Sequence, residues 1–326
     1  EQGGHAFRVL DAYVKSLENG SEAKDKKKRK KGEHGPEALA ILKLLGLFDR
    51  PALATSLEAL WTGDPIPNLT EPLIGLTEAQ RNITLRRLDK AGLLTVNRST
   101  AGELLSIDAH PLLREYFARD LRNNEPDAWK TAHRRLYEHL CETTEEGDQP
   151  TLEALQPLYQ AVAHGCHAGL QQVSAANVYQ DRILQGLKQY SWKQLGAFGS
   201  DLGALACFID IPWCDVSPLV SDEFRAFLLN QTSLCLRGLG RLTEAADPIK
   251  IAATWATENS DWVHAAIGSN NLSEVELTLG RTQSAIEHAL SCVTFADHSC
   301  NSQLQVISRV SHADALFQTG NQAEAE

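Results

Sequence analysis

"LCLRGLGRLTEAA" (234–246), "VELTLGRTQSAIE" (275–287) and "DALFQTGNQAEAE" (314–326) are one pattern written three times. Gly240, Gly280 and Gly320 stand 40 residues apart, and Ala245, Ala285 and Ala325 each follow their glycine by five. Leu239 and Leu279 precede the glycine, and Arg241 and Arg281 follow it. A glycine after a helical run supplies the left-handed conformation that ends a helix. The alanine lets a second helix pack closely on the first, and Trp255 and Phe295, again 40 apart, can fill equivalent holes. The repeat is therefore a helix–turn–helix pair. Stacked pairs bury a continuous core and leave a concave face.

Working back from the array, "LYQAVAHGCHAGLQQVSAANVYQ" (158–180) reads as an earlier, degenerate pair with Gly169 at its turn. The stretch 189–218 then breaks the period and holds Trp192, Phe198, Phe208 and Trp213. It reads as a longer pair with an insertion, its aromatics packed in a core. Helices are the only elements expected from Asp127 onward, with the regular repeats starting near 222.

Residues 36–125 form a different unit. "PEALAILKLLGLF" (36–48), "RPALATSLEALW" (50–61) and "TEAQRNITLRRLDKAGLL" (77–94) read as three helices, the third with Thr77 and Gln80 as a capping box. "LLTVNRSTAGELLSI" (93–107) reads as a hairpin. Pro111 then opens a helix with His110 at its N-cap and Leu112, Leu113, Tyr116, Phe117 and Leu121 on one stripe. Three helices followed by a hairpin is the order of a winged helix-turn-helix. The expected fold class is mainly α: a winged helix domain at 36–125, then an α-solenoid over 126–326. Ahead of these lie a helix over 5–18, with Phe7, Leu10, Val14 and Leu17 on one face, and a basic linker at 19–35 in which Lys26–Lys31 are all cationic.

Composition excludes several functions. The 326 residues carry a net charge of −11, which argues against nucleic acid as a general partner. No apolar run approaches the roughly 18 residues needed to span a bilayer. Seven scattered cysteines without a C-x-x-C pair fit a reduced, cytoplasmic protein. "HGCH" (164–167) offers too few ligands for structural zinc, so no metal is expected. No G-x-x-x-x-G-K-[ST] loop or catalytic-serine motif occurs. With no methionine anywhere, and an end inside a helical pattern, the chain reads as a piece of a longer protein.

The order of parts carries a resemblance. "GGHAF" (3–7), then a winged helix with "AHPLLREYF" (109–117), then tetratricopeptide-like repeats, resembles the C-terminal part of bacterial STAND-type signalling ATPases of the NACHT and NB-ARC class. In that family a helical domain and a winged-helix histidine touch the nucleotide in the resting state, and a repeat array senses the trigger. The resemblance implies that Gly4, His5 and His110 contact nucleotide in the complete protein. Ala109 and Pro111 stand where the family usually has Met and Asp, and His5 and Ala6 where it has Pro and Leu. It further implies an NTPase domain upstream in cis that binds ADP or ATP with Mg. This piece would hold no cofactor and no catalytic residue, and would oligomerise on activation in a defence or stress response. The trigger would be a protein or peptide on the concave face, lined by the first helix of each pair, at Arg225, Leu229, Arg237, His264, Ile267 and Asn271. Two other functions fit the same elements. One is a DNA-binding regulator reading through 77–92, with Arg81, Arg86, Arg87 and Lys90. The other is a plain repeat scaffold.

Overall fold

The computed structural model describes Val14 and residues 35–211, 213–320 and 322–325. The chain divides into two compact units, Glu1–Thr143 and Thr144–Glu326.

The first unit opens on α1 (Pro36–Leu45), whose proline stands at the start and whose Ala38, Ile41, Leu42, Leu44 and Leu45 are all buried. Gly46 follows it because α4 (Pro111–Asn124) passes close by: a Cβ there would lie 2.5 Å from the Ala118 backbone nitrogen. The expected second helix is preceded by a two-residue strand, β1 (Ala52–Leu53), and then runs as α2 (Ala54–Thr62). Thr77 caps α3 (Glu78–Lys90) as the sequence requires: the Gln80 N–H donates to Thr77 Oγ1, and the Thr77 N–H to Gln80 Oε1. The hairpin is β2 (Thr95–Arg98) and β3 (Leu104–Asp108), and β1 adds to it in the antiparallel order β1-β3-β2. Ile107, fully buried, pairs with Ala52 on one side and Val96 on the other. Three helices and a three-stranded sheet in this order make the winged helix. The unit runs to Thr143, past the boundary drawn at 125, because α5 (Pro126–Thr143) sends Trp129, Ala132 and Leu136 into the same core.

The second unit is helical. Thr151 caps α6 (Leu152–His167), and Gly169 turns the chain in the left-handed conformation. The next helix, α7, starts as Gln171–Val173 and continues as a π-helix over Ser174–Ile183. Short helices α8 (Tyr190–Lys193) and α9 (Phe198–Leu205) follow. Then comes a two-stranded hairpin, β4 (Ile209–Ile211) with β5 (Asp215–Val216), where only helices were expected. The regular array is α10 (Asp222–Gly238), α11 (Leu242–Glu258), α12 (Trp262–Thr278), α13 (Thr282–Ser299) and α14 (Ser302–Gln318), ending on the short α15 (Gln322–Ala325).

The 40-residue period is visible bond by bond. Gly240, Gly280 and Gly320 have φ of 74°, 73° and 87°. After the first two, the Arg241 N–H donates to the Leu236 carbonyl and the Arg281 N–H to the Glu276 carbonyl, both at 2.8 Å. These bonds satisfy carbonyls that a helix end would otherwise leave unpaired. Ser233 Oγ donates to the Ala245 carbonyl at 2.8 Å, and Ser273 Oγ to the Ala285 carbonyl at 2.9 Å, joining the two helices of a pair. Asp261 and Asn301, again 40 apart, cap α12 and α14. Successive pairs meet through small residues, above all where Gly268 lies against Ala253. The result is a mainly α, repeat-built solenoid.

Candidate recognition face and helix cap

His110 does what the sequence at a helix start allows. Its Nδ1 accepts from the Leu112 N–H at 3.3 Å, Pro111 occupies the first helical position, and the side chain is exposed. With Nδ1 as acceptor, a neutral ring carries its proton on Nε2. Asp108 supports the junction, accepting from the Ala109 N–H at 2.8 Å and from Arg114 Nη1 at 2.9 Å. Gly4, His5 and the basic run at 19–34 lie outside the described residues.

The six residues expected on the concave face divide. Arg237 and Asn271 come together: Arg237 Nη1 lies 3.5 Å from Asn271 Oδ1, and Nη2 donates to Glu274 Oε2 at 2.6 Å. This joins the first helices of two successive pairs. Arg225 sits about 18 Å further along the same helix, near Asp215 and Asp222 at 3.4 and 3.3 Å. His264 is exposed and holds its own helix start, with Nδ1 2.7 Å from Asp261 Oδ2. Ile267 is half-buried. Leu229 is a correction: it is 4% exposed and belongs to the core, since an apolar side chain in the middle of α10 gains more by packing than by facing water.

The feature built around Arg237 is a groove of about 440 Å³ lined by Arg237, Glu274, Leu277, Thr278, Thr282, Asp314 and Gln318. It crosses the C-terminal halves of α10, α12 and α14 and takes one residue from the start of α13. Glu274 and Asp314 stand 40 apart and repeat across it, a spacing present in the sequence but masked by the many charges of these helices. Next to the groove α14 exposes Val310 and Phe317.

The other candidate chemistry is weaker. His133 is buried against Trp129, with ring centroids 4.1 Å apart. His164 and Cys166 are also buried. Among the described residues no group of three or more His, Cys, Asp or Glu is placed to hold a metal ion, and no helix is long and apolar enough to cross a membrane. On α3, Leu85 and Leu88 are buried, and Arg81 is committed to the Leu76 carbonyl, Glu58 and the Trp61 ring. That leaves Arg86, Arg87 and Lys90 exposed on the helix, with Glu78 and Asp89 among them.

No protein-family model matches the chain, and no curated protein matches it. Among solved structures it is similar to a signal transduction ATPase with numerous domains (STAND) that has a tetratricopeptide repeat sensor, from Pyrococcus horikoshii. The identity is 15% and the TM-score 0.29, over 89% of this chain and 48% of that one. The chain thus spans about half the length of the protein it matches.

Proposed function

We propose that this chain is the regulatory and sensor portion of a STAND-type signalling ATPase of the NACHT and NB-ARC class. In this reading it is cytoplasmic and has no catalytic residue of its own. An NTPase domain in cis binds ADP or ATP with Mg. His110 and the Gly4–His5 stretch supply the second wall of that pocket, and the winged helix is the element that switches with nucleotide state. The array binds a protein or peptide trigger, and oligomerisation follows in a defence or stress response.

The observation that carries the reading is the groove across three first helices. Its lining mixes ion-paired, hydroxyl and apolar groups drawn from successive repeats, which suits a peptide segment more than a compact metabolite. His110 is consistent with the switch. It stands at a helix start, whose partial positive charge favours an approaching anion. A DNA-reading role for α3 is less favoured, because Arg81 is occupied and acidic residues flank the remaining cations.

The test uses the complete protein. Charge reversals at Arg237 and Asp314 should abolish the response to its trigger, by at least about tenfold, the cost of losing one charged contact at an interface. ATP binding should be unchanged. A normal response from both variants would place the sensor elsewhere.

A further inference from the structure

Asp201 has no accessible surface, and it lies on α9 between the degenerate pair and the first regular helix. Its Oδ1 accepts from the Tyr159 hydroxyl on α6 and its Oδ2 from Ser191 Oγ on α8, both at 2.7 Å. One carboxyl group thus ties three helices together. The other groups around it are the buried Tyr179 phenol from the π-helix and the Cys235 thiol from α10. No cation among the described residues is paired with it, and the Tyr179 hydroxyl has no hydrogen-bond partner. A buried carboxylate without a counter-charge is costly, whereas its protonated form is not.

The segment carrying Ser191 and Asp201 is bounded by unusual backbone. Gln185, Gly186 and Gln189 precede it with φ of 53°, 59° and 51°, and Gly196 divides it at 60°. Left-handed glutamines are strained and persist only where neighbours hold them. The Gln189 side-chain carbonyl accepts from Gln231 Nε2 of α10 at 3.0 Å and from Trp192 Nε1 of α8 at 2.9 Å. Gly238 completes the fit: a Cβ there would lie 2.7 Å from the Phe198 ring.

We propose that Asp201 is a proton-dependent latch. With its carboxyl protonated, the segment 190–205 is held closed between α6 and α10; ionisation loosens it. Protonation breaks neither bond. Tyr159 still donates to one oxygen, and the new O–H donates to Ser191 Oγ in place of the bond it received. Burial raises the carboxyl from 3.8 to about 6, and opening to water returns it to its ordinary value. The sign follows from linkage. A raised folded value means that the latch contributes fully below the ordinary carboxylate value and is lost as pH rises through about 6. Between pH 5 and pH 8 the opening equilibrium then increases about tenfold. Because α9 packs on both α6 and α10, the latch governs the junction at which the regular array begins. This inference is independent of the function proposed above.

Hydrogen exchange of peptides covering 190–205, measured on this chain from pH 5 to pH 8 and divided by the intrinsic chemical rate, tests it. The expected result is about a tenfold rise in opening, centred near pH 6, and a flat profile for Asp201→Asn. A flat wild-type profile, or the same rise in Asp201→Asn, overturns the latch. Should Asp201→Asn fail to fold, Tyr159→Phe decides. Losing a donor that favours the ionised form should move the rise to higher pH and enlarge it, and an unmoved profile overturns the proposal.

Discussion

The two halves of the second unit solve one packing problem in different ways. From α10 to α14 every turn repeats its predecessor. Gly240 and Gly280 share a φ near 74°, the non-glycine left-handed residues Ser260 and Cys300 are themselves 40 apart, and the serine bonds recur at 233 and 273. Between α6 and β5 nothing recurs. A helix widens into a π-helix, Gln185, Gln189 and Trp213 take positive φ without any period, and a lone carboxylate is enclosed. Buried side-chain polar atoms without a hydrogen bond fall in the irregular half, at Gln171, Ser174 and Tyr179, and on the first regular helix, at Asn230 and Gln231 of α10, while none is found among the described residues of α11 to α14. Where the period holds, each local choice supports the next. Where it breaks, strain collects, and strained, weakly satisfied segments are the ones that open below the global unfolding free energy. In the function proposed above, recognition falls to the regular half, and the irregular half is the part expected to open first.

Substitutions can break the comparison. The largest effect is expected at Gly268. Its Cβ position is 2.9 Å from the Ala253 Cβ, between two helices that cannot separate without disturbing the pairs on either side. Gly268→Leu, although leucine stands at the equivalent position 228, should destabilise the second unit by about 3 kcal/mol in urea unfolding. A smaller loss is expected at Arg182, which crosses from the π-helix to bind Glu146 through two nitrogens and the Thr144 carbonyl. Both side chains of this ion pair are less than a quarter exposed. Arg182→Ala should cost about 2 kcal/mol, the loss of a charged hydrogen bond discounted for partial exposure. The hydrogen bond from Arg182 holds the Glu146 carboxyl below its ordinary value despite partial burial. Its stabilisation is therefore present above the ordinary carboxylate range and disappears as pH falls through the lowered value, so wild type and variant should converge in acid. This is opposite in sign to Asp201. If Gly268→Leu and Arg182→Ala cost the same, the claim that the regular half is the stiffer one weakens.

Much of the regular half was legible in advance because each of its devices has a residue signature. Glycine at a helix end and alanine at a close approach each have a local cause that acts through a few neighbours, as does the capping box of Thr77 and Gln80 in the first unit. The irregular half has no such signature. In a π-helix each backbone hydrogen bond reaches one residue further than in an α-helix, and "SAANVYQDRI" carries nothing in its composition to mark that. Nothing in "GSDLGAL" marks Asp201 for burial, which comes only from the helices that pack around it. The strands at 209–216 are too short for alternation to show. Of the residues lining the groove the sequence reading names Arg237 alone; Glu274 and Asp314 look like ordinary surface charge until the first helices are aligned. Leu229 was placed on the wrong face because repeat spacing identifies which helix lines a surface, and burial decides which of its sides does.

Hydrogen exchange of this chain at pH 7, read along the whole second unit, tests the division most directly. The account predicts that amides of α11 to α13 exchange only through large-scale opening, at least about 100-fold more slowly than those of 174–205, a difference of roughly 2.7 kcal/mol in local opening free energy. Equal protection across both regions, or faster exchange in the regular helices, would contradict it.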